Sequence, residues 1–121
     1  MFDLNEFMNA PCCDETATVR RGTEEFRIRR LNGAERLQFN DLTRHYDRVR
    51  FALARGLLSG DDPRPIGEEN AAKMIERYGA LAEALFADVF DLTQRSLDEE
   101  ARIWDDVKKK SRAKDRTLTK R

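Results

Sequence analysis

The residues of this chain that are able to do chemistry are a single histidine, two cysteines and several carboxylates that stand in adjacent pairs. Four such pairs are Asp61-Asp62, Glu68-Glu69, Glu99-Glu100 and Asp105-Asp106. Neighbouring side chains on a helix point about 100° apart, so such carboxylates do not converge as a general acid and base. The Asp61-Asp62 loop also lacks the spaced ligands of a calcium loop. We interpret these pairs as solvated charge.

His45 falls at the flank of a predicted helix, beside Tyr46. A catalytic histidine needs a nucleophile or a second base within hydrogen-bond reach, and the neighbouring sequence offers only ordinary charged side chains. Cys12 and Cys13 are adjacent, which opposes a disulfide between them, and two cysteines with one histidine do not make a zinc site. There is no phosphate-cradling glycine pattern and no nucleophile elbow. We therefore predict a protein that is not an enzyme, with reduced thiols, no metal and no cofactor.

Charge is balanced over the whole chain, with 23 basic and 23 acidic residues, but it is unevenly distributed. Residues 108–121 hold eight basic residues and one acidic residue, a net charge of +7, so residues 1–107 carry −7. Such a tail attracts phosphate backbones, yet it contains no interleaved aromatic residue and it follows an acidic body. A solubilising tail is the favoured interpretation. A small nucleic-acid-associated protein that binds through this basic tail is the alternative function.

No apolar run approaches the length that spans a membrane. The first ten residues contain Asp3 and Glu6 where a signal peptide would be basic and then apolar. We expect a cytoplasmic protein that has no membrane partner.

Residues 16–30 are predicted to form a β-hairpin. Both halves alternate between polar and apolar residues, and Gly22-Thr23 suits a two-residue turn. With that loop Val19 faces Phe26 and Ala17 faces Ile28, so the apolar pairs share one side of the hairpin. An isolated hairpin is barely stable in water, so we expect this one to lie on helices.

Apolar periodicity predicts three helices, over about 33–58, 68–93 and 97–110. Asn32 with Glu35, and Ser96 with Glu99, have the spacing of capping boxes. The predicted core stripes are Phe39, Leu42, Tyr46, Val49, Leu53 and Leu57 on the first helix, Ala71, Met74, Ile75, Tyr78, Leu81, Ala82, Leu85, Phe86, Val89 and Phe90 on the central helix, and Leu97, Ala101, Trp104 and Val107 on the third.

The predicted fold is thus α+β and mainly helical. An N-terminal hairpin packs on about three helices in a single domain over residues 1–110, residues 61–67 form a loop, and residues 111–121 form a flexible basic tail.

Three features are candidates for binding a partner or a second copy. Phe51 falls opposite the core stripe among Arg44, Arg48 and Arg55, a combination typical of interface hot spots. The alternative is that it packs beneath the N-terminal arm or that arginine stems cover its ring.

Ala80, Ala84 and Ala87 would let another helix approach closely, although alanine is also simply the best helix former. Trp104 either packs inward or accepts a partner segment.

The first forty residues resemble the tail assembly chaperones of long-tailed, siphovirus-type bacteriophages. The chain begins Met1-Phe-Asp-Leu, the second hairpin strand runs from Phe26 to Leu31 as FRIRRL, and NGAER from Asn32 opens a helix that contains Phe39. In that family a strand that ends in an arginine-leucine turn leads into a helix starting with a small residue, an acidic residue and an arginine. Beyond residue 40 the resemblance is one of architecture.

The resemblance implies a phage or prophage virion-assembly factor. Such a chaperone binds the tape measure protein, keeps its hydrophobic helices soluble, helps to recruit the tail tube protein, and stays in the host cytoplasm rather than in the mature virion. An adaptor that remains in the virion is a further possibility. Coating a long client favours several copies in contact, so we expect a homo-oligomer. The family often makes a second, longer product by ribosomal frameshifting, and we would place the frameshift at the codons of Lys108-Lys109-Lys110.

Overall fold

The computed structural model describes the backbone of residues 3–9 and 16–119, and it describes their side chains apart from those of residues 6, 7, 9 and 107–119. The elements are, in chain order, α1 (Leu4–Asn9), β1 (Thr16–Arg21), β2 (Glu24–Arg29), α2 (Gly33–Asp41), α3 (His45–Gly56), β3 (Leu57–Ser59), β4 (Arg64–Pro65), α4 (Gly67–Arg77) and α5 (Gly79–Thr119). The predicted class, α+β and mainly helical, is confirmed.

The predicted hairpin is confirmed together with its register. β1 and β2 pair antiparallel, with Val19 opposite Phe26 and Ala17 opposite Ile28. Gly22 has a φ of +65°, a left-handed conformation that glycine adopts without steric penalty, and this allows the tight turn. Ile28 is buried and the other three apolar side chains pack partly buried against the core, so one face of the hairpin covers it as expected.

The sheet has four antiparallel strands instead of two. β3 pairs with the free edge of β2, where Leu57 lies opposite Ile28, and β4 pairs with β3, where Pro65 lies opposite Leu58. The region expected to be a loop over 61–67 therefore contains the turn between β3 and β4, then β4, and then the start of α4. These strands have only three and two residues, too few to show alternation, so they arise from the pairing of β3 with β2 and of β4 with β3 rather than from a local pattern.

The predicted first helix is two helices, α2 and α3, separated by residues 42–44. The capping box that begins α2 is confirmed, because the Asn32 side chain accepts from the Glu35 amide at 2.8 Å and the Glu35 carboxylate accepts from the Asn32 amide at 3.0 Å. Leu42 is extended, with a φ of −78° and a ψ of 135°. The Arg48 Nε donates to the carbonyl oxygen of Leu42 at 2.7 Å, which satisfies a backbone group that the break would otherwise leave unpaired.

The predicted central helix is also broken. Tyr78, with a φ of −135° and a ψ of 60°, separates α4 from α5. From Gly79 onward α5 is continuous, so the separate third helix predicted over 97–110 is wrong. Ser96, expected to cap that helix, lies inside α5 and is buried. A capping-box spacing marks a helix start only where the preceding residues leave the helix, and here they do not.

The chain divides into two compact units, one comprising Glu15–Gln94 and the other comprising Met1–Asp14 with Arg95–Arg121. The single domain predicted for residues 1–110 includes parts of both. The backbone of the predicted tail continues as helix to Thr119. The side chains of this tail and of Cys12 and Cys13 lie outside the described residues, and the flexibility of the tail stays a prediction.

The core of the Glu15–Gln94 unit joins the sheet to α3 and α5. Its four most deeply buried large side chains are Ile28, Leu53, Leu85 and Val89. Gly56, the last residue of α3, permits close packing there, because a Cβ at this position would lie 2.6 Å from one methyl carbon of Val89.

The unit is also tied together by two long-range polar contacts. The Leu31 amide donates to the Thr93 hydroxyl at 3.0 Å, and the Arg21 Nε donates to the Asp88 carboxylate at 2.9 Å.

Candidate interaction surface

Phe51 is not an exposed partner-binding residue, because only 7% of it is accessible. Its ring packs against Phe39 with the ring centroids 6.4 Å apart, and the guanidinium carbon of Arg55 lies 3.7 Å from the centre of the Phe51 ring. The expectation that Phe51 faces away from the core is therefore wrong, because the ring belongs to the core and the guanidinium group of Arg55, rather than an arginine stem, lies over it. The reason is that α3 packs against α2, α4 and the strands β2–β4, which leaves little of its surface open.

The three arginines predicted to surround Phe51 have different environments. Arg44 is exposed and directly precedes α3. Arg48 is half-buried, with its guanidinium carbon 5.4 Å from the centre of the Phe39 ring. Arg55 is half-buried over Phe51 itself. Of these three, Arg44 alone is positioned as an exposed cation, so they do not form a shared arginine-rich patch.

Arg55 belongs to a charged cluster centred on Glu35. The two guanidinium nitrogens of Arg29 donate to the Glu35 carboxylate at 2.8 and 2.7 Å, and Arg55 lies 4.0 Å from Glu35 and 3.4 Å from Glu68. Burial by itself raises the pKa of Glu35. The hydrogen bonds from Arg29 and the Asn32 amide, with the charges of both arginines, outweigh it and hold that pKa below its usual value. The cluster joins β2, α2, α3 and α4, so its role is structural.

The alanine face is at the surface, as expected from the sequence. Ala80 and Ala87 are exposed on α5, and Ala84 between them is half-buried. The structure thus leaves this face accessible, and self-association through it stays a prediction. Trp104 lies in the other compact unit, where it is half-buried and has an interaction within the structure. Its role in accepting a partner segment also stays a prediction.

The structure reveals an apolar groove that sequence reasoning missed. It has a volume of about 300 Å³ and is formed by the first residues of α3, the end of α4 and the start of α5. Its lining consists of His45, Tyr46, Val49, Ile75, Gly79, Ala80, Ala82 and Glu83. Tyr46 is 47% exposed and the nearby helix break leaves Tyr78 59% exposed, although both were predicted to be core. The residues that follow the two helix breaks, at the starts of α3 and α5, are among those that line this groove.

An aromatic cluster lies further along α5. Phe86 and Phe90 pack against Phe39, with both centroid distances 6.1 Å, and Phe39 in turn contacts Phe51. Phe90 is 41% exposed, so the cluster reaches the surface at this ring rather than ending in the core as predicted. Phe86 and Phe90 are one helical turn apart, which places them on the same face of α5.

His45 lies between the groove and the aromatic cluster. Its Nε2 is 2.7 Å from a carboxylate oxygen of Glu83, and its ring meets Phe86 edge-on with the centroids 5.9 Å apart. Both members of the His45–Glu83 pair are mostly exposed, at 67% and 63% of their side chains. Neither contact brings a hydroxyl or thiol nucleophile to the imidazole, which is consistent with the structural or surface role expected from the sequence.

Among the described residues there is no group of three or more histidine, cysteine, aspartate or glutamate side chains that could hold a metal ion. The same part of the chain contains no helix with the length and apolar character needed to cross a lipid bilayer. Compared with models of known protein families, with characterised proteins and with solved structures, the chain matches none of them.

Proposed function

We propose that this protein is a phage tail assembly chaperone that binds the tape measure protein, keeps it soluble and helps to recruit tail tube subunits, without catalysing a reaction. The observation that carries the proposal is the accessible apolar surface of the Glu15–Gln94 unit, formed by the groove and by the exposed edge of the aromatic cluster at Phe90. Its support from sequence is the resemblance over residues 1–40.

This surface has the chemistry that a chaperone of hydrophobic helices requires. Tyr46 and Phe90 offer large rings that are partly buried and therefore ordered, which is the composition of interface hot spots. The groove is wide enough for one or two apolar side chains, so a client helix would be held by its apolar stripe. Affinity for each copy can be modest, because several copies along one long client add avidity.

The test is co-expression with the tape measure protein of the same genome, with the soluble client fraction as the readout. We expect the wild-type chain to keep the client soluble and to co-purify with it. The variant Tyr46→Ser/Phe90→Ser should reduce co-purification about tenfold, which corresponds to a loss of about 1.4 kcal/mol in the free energy of binding. The matched control is Leu37→Ser, because Leu37 is 69% exposed on α2 and does not line the groove.

A client that remains insoluble and unbound beside the wild-type chain would refute the proposal. Equal losses for the control and the double variant would refute the assignment of the surface. Circular dichroism of each variant separates loss of binding from loss of folding. Salt-dependent retention on DNA that disappears when residues 108–121 are deleted would instead support the nucleic-acid-associated alternative.

A further inference from the structure

The continuity of α5 places two oppositely charged segments end to end on one helix. Residues 95–106, which we call the acidic block, contain five acidic and two basic residues, a net charge of −3. Residues 108–119, which we call the basic block, contain six basic residues and one acidic residue, a net charge of +5. Both blocks have twelve residues, and the backbone is helical through both. The boundary between them is Val107.

The acidic block of the same helix neutralises only the first turn of the basic block, where Asp105 and Asp106 lie one turn before Lys109 and Lys110. At about 1.5 Å per residue, residues twelve apart on the helix are roughly 18 Å apart, well beyond the screening length of about 8 Å at physiological salt. Within the basic block, like charges fall one turn apart, as in Lys108 with Arg112 and Arg112 with Arg116. Such pairs weaken the helix beyond the first turn of the basic block, and negative charge from a second molecule would offset them.

We propose that two copies of the chain pair antiparallel through residues 95–119 of α5, with a two-fold axis at Val107. The acidic block of each copy then lies along the basic block of the other. A parallel pair would instead align acidic with acidic and basic with basic. The antiparallel arrangement is isologous and closed, so it produces a dimer rather than an open-ended fibre. This self-association surface is independent of the chaperone function, because the pairing of the two copies requires no client.

The acidic block favours a second copy over a polyanion as the occupant. Asp98, Glu99, Asp105 and Asp106 are all exposed, so a nucleic acid following the basic block would meet repulsion as soon as it passed Val107. A second copy satisfies both blocks at once and over the same length. Leu97 and Ile103 are half-buried within the acidic block and add partly accessible apolar surface to the contact.

The first test is analytical ultracentrifugation at low and high salt. We expect dimers at about 50 mM NaCl and at least a tenfold higher dissociation constant at about 500 mM, because paired surface charges are screened. Two charge-reversal variants sharpen the result: D98K/E99K/D105K/D106K, in which both blocks are positive, and K108E/K109E/K110E/K114E, in which both are negative. Each alone should be monomeric, and their mixture should form a 1:1 heterodimer.

The matched control is D61K/D62K, which changes two charges in the exposed turn between β3 and β4 and should leave the dimer unaffected. Circular dichroism verifies that every variant keeps its helix content. A wild-type chain that is monomeric at low salt, or reversal variants that fail to form a heterodimer, would overturn the proposal. So would a monomeric chain that binds duplex DNA through residues 108–121, since this would assign the basic block to a polyanion.

Orientation is tested by one spin label at Gln94→Cys in a background of Cys12→Ser and Cys13→Ser. Gln94 is exposed and lies thirteen residues before Val107, so antiparallel pairing places the two labels roughly 40 Å apart along the helix axis. Parallel pairing would place them roughly 10 Å apart, the usual distance between packed helices. The long distance is the expected result, and the short one would contradict the proposed arrangement.

Discussion

Gly56→Ala tests the close approach of α3 to α5 on which the core depends. The new Cβ would lie 2.6 and 2.8 Å from the two methyl carbons of Val89 and 3.2 Å from the carbonyl oxygen of Arg29. Ordinary carbon contacts are about 3.5–4.0 Å, so the overlap is about 1 Å. Val89 is fully buried and β-branched, and therefore cannot rotate away within its helix. The two helices must separate instead.

Overpacking of this kind costs about 1–3 kcal/mol, and the better helix propensity of alanine offsets up to about 1 kcal/mol of it. We expect a net loss of about 1–2 kcal/mol in the free energy of unfolding, measured by urea denaturation followed by circular dichroism. Val89→Ala alone should cost about 2–3 kcal/mol through lost burial and the cavity that it leaves. Combined with Gly56→Ala it should cost less than the sum of the two, because the added methyl group enters the vacated space.

Gly33→Ala is the matched control, since no atom lies within 4 Å of a Cβ built at that position. It should leave the unfolding free energy unchanged or raise it by up to about 1 kcal/mol, because alanine has the better helix propensity and meets no neighbouring atom. If Gly56→Ala proves as stable as the wild type, or if its effect adds fully to that of Val89→Ala, the two helices do not meet as the structure describes.

Three further predictions concern polar contacts. Folding lowers the pKa of Glu35, so the ionised carboxylate stabilises the folded protein. This contribution is complete above the pKa of the unfolded chain, about 4.3, and disappears as the pH falls through the pKa of the folded state. Glu35→Gln should therefore lower the free energy of unfolding by about 1.5–3 kcal/mol at pH 7, and its stability should decline less steeply below a pH of about 5 than that of the wild type. A variant whose stability falls with pH as steeply as that of the wild type would refute the role of the cluster. Thr93→Val should cost about 1–3 kcal/mol of stability in thermal unfolding, because it leaves the buried Leu31 amide unpaired. Its control, Thr18→Val on the exposed face of β1, should have a negligible effect. Asn32→Ala should cost about 0.5–2 kcal/mol through the lost cap, and amide hydrogen exchange in α2 should rise while that in α5 does not.

Client binding and self-association are assigned to different parts of the chain and can be tested separately. The groove variant Tyr46→Ser/Phe90→Ser alters the Glu15–Gln94 unit, whereas the charge-reversal variants alter α5 beyond residue 95. A chain that keeps the client soluble but remains monomeric would support the chaperone role without the antiparallel pair. A salt-sensitive dimer with no effect on the client would give the opposite result.

Local sequence determined the features that depend on near neighbours. The hairpin register follows from the alternation of polar and apolar residues on both sides of a two-residue turn. A register shifted by one residue would have moved the apolar side chains, such as Val19 and Ile28, to the polar face. The start of α2 follows from Asn32 and Glu35, whose side chains reach backbone groups only three residues away. The apolar stripe likewise identified Leu85 and Val89 as core.

Tertiary structure decided the features that depend on what covers a residue. Tyr46 has the helical phase of the buried residues Val49 and Leu53, yet it lies in the first turn of α3, where it lines the groove and is 47% exposed. Phe51 became buried because α2, α4 and three strands surround α3, and no pattern within one helix reveals its neighbours. β3 forms by pairing with the edge of β2 that β1 leaves free, and β4 forms by pairing with β3. Helix period and capping are local, whereas burial and strand pairing require partners from distant parts of the chain.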